Sequence, residues 1–154
     1  MEAWGCGRRS SGDYAGADVA PRYLADTSAW TRSGQIADRW AELLDFDEIA
    51  LCLPVRLELL YSSRGSRDYA ALAEDLRGLT NLPIDPGVEC AAVQSQAALA
   101  RDGHHRGPTP ADLLIAAVAE AHSVTLLHYD RQFDLIADAT GQPAEWVAAR
   151  GMLK

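Results

Sequence analysis

Short apolar runs alternate with amphipathic helical patterns along most of this chain. The runs "RYLAD", "IALCLP" and "VTLLHYD" predict buried strands, and "AEWVA" predicts an edge strand. Between the first two, "GQIADRWAELLDF" places Ile36, Trp40, Leu43 and Leu44 on one helical face. Strands that alternate with helices through short connections predict a doubly wound α/β domain with a mainly parallel central sheet.

The rest of the chain continues this alternation. Helices are predicted in "PVRLELLYSS", "RDYAALAEDLRGL", "PGVECAAVQSQAALARDG", "TPADLLIAAVAEAHS" and "RQFDLIADATG", and "NLPID" predicts a short strand or an extended link. Thr109 is the predicted N-cap of its helix, with Pro110 in the first helical position. These elements place one three-layer domain over residues 22–151.

The ends and the charge of the chain set further expectations. Residues 1–21 lack helical or strand periodicity and predict a flexible N-terminal tail. No window is long and apolar enough for a membrane span, and the N-terminus lacks the apolar segment of a signal peptide, so a cytoplasmic protein is expected. A formal net charge of −8 argues against a large basic surface for duplex nucleic acid. It does not exclude a nuclease whose carboxylates bind a divalent metal.

Four acidic residues stand where this architecture would bring them to one edge of the sheet: Asp26, Glu58, Asp112 and Asp130. Each has an ordinary interpretation. Asp26 and Asp130 suit caps or turns after strands, and Asp112 completes a Thr-x-x-Asp capping box with Thr109. Glu58 suits an exposed helical position paired with an arginine, either Arg56 or Arg64.

The joint arrangement favours a metal site. Glu58 lies between Leu57 and Leu59, where a solvated face is not expected and an unpaired carboxylate would be costly to bury. A divalent cation would remove that cost. Oxygen ligands without cysteine or paired histidine ligands indicate Mg²⁺ or Mn²⁺ rather than zinc.

The segments "LADTSAW", "LPVRLELLYS", "TPADLLIAAVA" and "LLHYDRQFDLIA", in this order, resemble the PIN-domain ribonucleases, specifically the VapC toxins of toxin–antitoxin pairs. The resemblance implies a PIN-like α/β/α fold and an acidic cluster that binds Mg²⁺ or Mn²⁺ and activates water for phosphodiester hydrolysis. It implies Asp26 and Asp112 as core ligands, Glu58 as a ligand or water-orienting group, and Asp130 as a further ligand. Ser28 would support Asp26, and Asp134 is the alternative to Asp130.

The resemblance also implies partners: an RNA substrate with structured loops such as tRNA or rRNA, a VapB-type antitoxin, and a second copy of the chain in a homodimer. Arg106, in "RDGHHRGP", is the candidate phosphate contact, although an exposed polar loop is the ordinary interpretation. Trp30, Trp40, Leu60 and Tyr61 are expected in the core, or in a groove that receives the antitoxin.

Three other functions compete with the nuclease hypothesis. A response-regulator-like domain also places acids at strand ends, but it needs a nearby lysine, and the one lysine here is Lys154. A haloacid-dehalogenase-type phosphatase needs Asp-x-Asp after the first strand, where this chain has Ser28 in the second position. A catalytically inactive PIN-like module that only binds partners remains an alternative.

Overall fold

The computed structural model describes residues 20–154. The elements in chain order are β1 (Tyr23–Ala25), α1 (Thr27–Trp30), a 3₁₀ turn (Ser33–Ile36), α2 (Ala37–Asp45), β2 (Ile49–Cys52), α3 (Leu53–Tyr61), α4 (Ser66–Arg77), β3 (Thr80–Leu82), α5 (Pro86–Arg101), α6 (Pro110–Ala121), β4 (Thr125–His128), α7 (Gln132–Thr140) and β5 (Ala144–Trp146). The predicted tail lies almost wholly in residues 1–19, outside the described residues.

The five strands form one sheet in the order β3-β2-β1-β4-β5, and every pairing is parallel. After β3 the chain returns to the other side of β1, so the strand order reverses between β1 and β4. In open parallel sheets, sites form outside the carboxyl ends of the strands at such a reversal. The predicted fold class is confirmed, and "AEWVA" forms the predicted edge strand.

Alternating side chains of the strands build two cores, one on each face of the sheet. Leu24 packs in the larger core beneath α3, α5, α6 and α7. Its neighbours Tyr23 and Ala25 face the smaller core, which contains Trp40 and Leu43 of α2. This alternation follows from the two-residue period of a strand, and it gives the three-layer α/β/α arrangement.

Capping chemistry sets several element ends, and the sequence predicts the one at Thr109. Thr109 and Asp112 form a reciprocal capping box at the start of α6, with Pro110 in the first turn. Asp85 caps α5 by accepting from the Val88 N–H. One boundary differs from expectation, because Leu53 begins α3 rather than continuing β2, whereas Pro54 lies in the first turn of α3 as expected. No helix among residues 20–154 has the length and apolar content needed to cross a membrane.

Candidate functional site

Asp26 directly follows β1 and caps α1 at the carboxyl edge of the sheet. Its carboxylate accepts hydrogen bonds from the Ser28 N–H at 3.0 Å, the Ala29 N–H at 3.1 Å and the Ser28 hydroxyl at 2.8 Å. Its own N–H donates to the Leu127 carbonyl of β4 at 3.0 Å. The strand end and the helix cap therefore fix this carboxylate beside the β1–β4 reversal.

Burial dominates the electrostatics of Asp26, which is only 5% exposed. Burial raises the pKa of its carboxyl to about 6, against the lowering effect of the Ser28 and Ala29 hydrogen bonds, and the charge of Asp112 raises the pKa further. Within residues 20–154, no arginine, lysine or histidine side chain forms an ion pair with Asp26. A buried carboxylate beside a second carboxylate, without a protein cation, is a place where a bound cation would lower the electrostatic cost.

Asp112 is half-buried in the first turn of α6. Its Oδ2 accepts from the Thr109 N–H at 2.7 Å, and its N–H donates to the Thr109 hydroxyl at 3.2 Å. Oδ1 accepts no hydrogen bond from the part of the chain that the structure describes. The capping interpretation is thus confirmed, and it leaves one carboxylate oxygen for another ligand.

Glu58 lies in a different setting from the expected one. Leu57 is 56% exposed, so the expectation that flanking leucines bury this part of α3 is wrong for Leu57. Pairing of Glu58 with Arg56 or Arg64 is also wrong: the glutamate carboxylate accepts a hydrogen bond from the Thr27 hydroxyl. The helical period explains the exposure of Leu57, because position 57 lies on the side of α3 opposite the buried Val55 and Leu59.

Thr27 is the contact that sequence reasoning missed. It is the first residue of α1, adjacent to Asp26, and its hydroxyl joins that turn to α3. The buried thiol of Cys52, the last residue of β2, lies near both acids. Burial raises its pKa to about 11, and the charges of Glu58 and Asp26 contribute to this increase. Glu58 and Asp26 therefore both lie near the end of β2.

Asp130 lies two residues beyond β4, which ends at His128, so it does not end the strand directly as expected. Its Oδ1 accepts from the Gln132 N–H at 2.9 Å. The preceding residue, Tyr129, donates its N–H to the Ser28 hydroxyl at 2.7 Å. Ser28 thus holds both the Asp26 carboxylate and the loop that carries Asp130.

Asp134, the alternative to Asp130, contacts the edge strand. Its Oδ1 accepts from the Trp146 indole N–H at 2.9 Å and lies 3.8 Å from Nε2 of His128. Burial lowers the pKa of the His128 ring, although Asp134 and Asp130 act in the opposite direction.

The donor set fits a hard divalent cation, because the predicted side chains offer carboxylate oxygens and Asp26 and Asp112 interact electrostatically. Among residues 20–154, however, no three histidine, cysteine, aspartate or glutamate side chains are grouped closely enough to form a ready metal site. Asp26 and Asp112 interact electrostatically, and their role as ligands stays a prediction. The full four-acid set stays a prediction.

The remaining predicted side chains divide by exposure. Arg106 lies in an exposed loop, where it lines a shallow groove with His105 and Gly107. Trp40 and Leu60 are buried as expected, and the Trp30 and Trp40 rings meet edge to face with centroids 4.8 Å apart. Tyr61 is 92% exposed, so its expected place in the core is wrong.

Comparison with known proteins gives close sequence relatives. A PIN domain family model matches residues 23–139. Ribonuclease VapC18 of Mycobacterium tuberculosis is 43% identical over 135 residues, which cover 85% of this chain and 98% of the relative. Ribonuclease VapC21 of the same species is 38% identical over 138 residues, covering 86% of this chain and 99% of the relative.

Solved structures share the fold. The toxin–antitoxin complex VapBC from Salmonella typhimurium, bound to DNA, contains a chain that superposes with a TM-score of 0.67 at 20% identity, over 82% of this chain and 98% of that one. A chain of VapBC2 from Rickettsia felis gives a TM-score of 0.68 at 19% identity, with the same coverage. At these identities the similarity concerns the fold alone.

Proposed function

This chain belongs to the VapC group of PIN-domain proteins, and from that premise we propose that it is a Mg²⁺-dependent endoribonuclease, the toxin of a toxin–antitoxin pair. It hydrolyses phosphodiester bonds in structured RNA such as tRNA or rRNA loops, and it acts in the cytoplasm. The observation that carries the proposal is the buried Asp26 carboxylate, which interacts with Asp112 at the carboxyl edge of the sheet without a protein cation. Because the chain belongs to the VapC group, the response-regulator and phosphatase hypotheses are no longer needed.

In this proposal Asp26 and Asp112 hold the ion, with Glu58 and Asp130 as further ligands or water-orienting groups. Mg²⁺, or Mn²⁺ in its place, would supply Lewis-acid activation of water and neutralise charge on the phosphodiester. The Ser28 hydroxyl donates to the Asp26 carboxylate and accepts from the Tyr129 N–H, so it holds Asp26 and the loop of Asp130 in fixed positions relative to each other. Thr27 restrains the rotamer of Glu58 through its hydroxyl.

The function is tested by incubating purified protein with total tRNA and rRNA, with Mg²⁺ or with EDTA, and mapping the RNA ends. Mg²⁺-dependent cleavage at discrete loop positions supports the proposal. Absence of cleavage by protein that causes growth arrest would instead favour a PIN-like module that acts only by binding partners.

Arginines adjoin the acids on one side. A hollow between α7 and the C-terminal segment is lined by Arg131 and Arg150, and it meets the Arg106 groove at Gly107. A Cβ on Gly107 would lie 3.0 Å from the Gln132 Oε1, so the Arg106 loop packs closely against α7. Within the described chain these three arginines form no ion pairs. Guanidinium groups without a carboxylate partner suit the phosphates of an RNA strand, and the Arg150 guanidinium is held over the Trp146 ring at 5.5 Å from its centroid.

We expect Arg131→Ala and Arg150→Ala each to weaken RNA binding about five- to tenfold and to lower the slope of log affinity against log salt by about 0.7, as for one lost phosphate contact on a single strand. Fluorescence anisotropy with a labelled single-stranded RNA, in the Asp26→Asn background to prevent cleavage, measures both. Arg77→Ala is the matched control. Arg77 ends α4 next to the start of β3, so it lies at the amino edge of the sheet, opposite the edge that carries the acids. Equal loss in all three variants would contradict this RNA path.

A VapB-type antitoxin is proposed as partner, and α3 offers it a surface. Leu53, Leu57 and Tyr61 follow one another at four-residue spacing and are 51%, 56% and 92% exposed. Large apolar side chains on one exposed helical face suit an amphipathic helix from a partner. Glu58 lies next to Leu57, so a segment bound here would reach the acids. A homodimer is also proposed, and light scattering on the purified chain measures its mass.

We expect Leu57→Asp and Tyr61→Asp to leave growth arrest intact but to prevent rescue by the co-expressed cognate antitoxin. A charge placed in an apolar contact costs several kcal/mol of binding free energy. Val93→Asp is the control, because Val93 is also an exposed apolar residue but lies on α5. Full rescue of the α3 variants would show that the antitoxin binds elsewhere.

A further inference from the structure

His128 is a fully buried polar side chain with no role in the chemistry proposed above. It ends β4, and its ring packs between the rings of Phe133 and Trp146, at centroid distances of 5.4 Å and 5.1 Å. An apolar residue would fill this space at lower cost, because a buried imidazole must be hydrogen-bonded to offset its desolvation. The contacts of its two ring nitrogens therefore indicate what the histidine does.

The Nδ1 atom accepts a hydrogen bond from the backbone N–H of Asp130 at 3.3 Å. Because Nδ1 is the acceptor, the proton of the neutral ring resides on Nε2. Nε2 has no hydrogen-bond partner in the described chain, and it faces the Asp134 Oδ1 at 3.8 Å. That oxygen also accepts from the Trp146 indole, so Asp134 lies between the edge strand and the His128 ring.

The loop after β4 is consequently held at two successive amides. The Tyr129 N–H donates to Ser28, which also donates to Asp26, and the Asp130 N–H donates to His128. The Asp130 carboxylate uses Oδ1 to accept from the Gln132 N–H. Its Oδ2 accepts no hydrogen bond from residues 20–154. The two amide contacts thus fix the backbone from which this free oxygen projects.

We propose that His128 is a positioning residue, which holds Asp130 for metal binding through Nδ1, while Asp134 and Trp146 orient its ring. The inference rests on the proposed metal-dependent function. In this proposal Asp134 contacts the His128 ring and does not bind the metal. Groups that orient a metal ligand in this way change metal affinity by about 10- to 100-fold when they are removed.

Two substitutions separate positioning from packing. His128→Asn places its Oδ1 near the position of Nδ1 and keeps the acceptor, but it loses the ring. His128→Phe keeps the ring between Phe133 and Trp146, but it has no acceptor. We expect His128→Phe to raise the Mg²⁺ concentration for half-maximal RNA cleavage by about 10- to 100-fold. We expect His128→Asn to stay within about threefold of the parent chain, even where its unfolding temperature is lower. The reverse order would show that His128 serves only packing and would overturn the proposal.

A second measurement does not depend on cleavage. Nitrogen-15 NMR of the full chain without metal should show an unprotonated Nδ1 and a protonated Nε2 on His128. Amide exchange at Asp130 should be faster in His128→Phe than in His128→Asn. A protonated Nδ1, or equal exchange in both variants, would overturn the positioning role. A parent chain that cleaves no RNA but gives these NMR results would contradict the proposed function and leave the His128 contact established.

Discussion

Asp26→Asn should abolish Mg²⁺-dependent RNA cleavage while making the metal-free protein more stable at pH 7.5. We expect cleavage to fall at least about a thousandfold, which corresponds to roughly 4 kcal/mol in the activation barrier. The stability gain follows from the buried carboxylate, whose pKa is raised from 3.8 to about 6. Ionising it in the folded protein at neutral pH costs about 3 kcal/mol, since one pKa unit corresponds to about 1.4 kcal/mol. Asparagine removes that cost but loses one hydrogen bond to an N–H, worth about 1 kcal/mol.

The net gain should be about 1–2 kcal/mol in the free energy of unfolding, measured by urea denaturation in EDTA. Its pH dependence tests the cause. A group whose pKa is higher in the folded state contributes most below its unfolded pKa, and that contribution is lost as pH rises through the folded value. The variant's advantage should therefore be full above pH 6 and nearly absent near pH 4.

Metal provides the complementary control. Mg²⁺ should raise the unfolding temperature of the parent chain and leave that of Asp26→Asn unchanged, because only the parent keeps the full ligand pair. An Asp26→Asn protein that cleaves RNA at the parent rate would refute the assignment of this residue. A variant that is inactive and also less stable in EDTA at pH 7.5 would show that Asp26 serves mainly as a helix cap.

Asp112→Asn and Thr109→Ala should have opposite effects, because the two residues share one cap but only Asp112 is a proposed ligand. Asparagine can still accept from the Thr109 N–H, so Asp112→Asn should change the free energy of unfolding by less than about 1 kcal/mol. We expect it to reduce cleavage at least about a thousandfold. Thr109→Ala removes the hydroxyl that accepts from the Asp112 N–H, and it should cost about 1 kcal/mol of stability.

Cleavage by Thr109→Ala should remain within about threefold of the parent, since an N-cap contributes to helix stability and not to charge at the site. The measurements are Mg²⁺-dependent cleavage and urea unfolding on the same preparations. Retained cleavage in Asp112→Asn would show that Asp112 acts as a helix cap and not as a metal ligand. Loss of cleavage in a folded Thr109→Ala protein would mean that the cap itself positions the site.

Much of the fold was predictable because its signals are local. Hydrophobic periodicity places the strands and helices, and the Thr109–Pro110 start of α6 and the Asp26 turn follow from short-range capping preferences. The parallel alternation then places Asp26 and the start of α6 at the same edge of the sheet. The exact ends were less predictable: Leu53 continues an apolar run, yet it begins a helix.

The partners of the predicted acids could not be read from the sequence. The ordinary interpretation paired Glu58 with Arg56 or Arg64, whereas its partner is Thr27, which is 31 positions away in the chain. The contact of His128 with Asp130 spans only two positions, yet no sequence pattern marks it, because an apolar residue would suit the end of a buried strand equally well. Leu57 and Tyr61 are residue types that often lie in a core, and only the packing of α3 leaves them exposed.

The sequence by itself determined the α/β alternation, the caps that begin α1 and α6, and the presence of four acids near strand ends and helix starts. These features depend on interactions within a few residues, which chain order specifies directly. The tertiary structure decided which acid is desolvated and which hydroxyl contacts Glu58. Asp26 is buried where β4 returns to the side of β1, which joins segments about a hundred residues apart, as in the contact of Ser28 with Tyr129. Glu58 meets Thr27 because β2, which leads into α3, lies on the other side of β1.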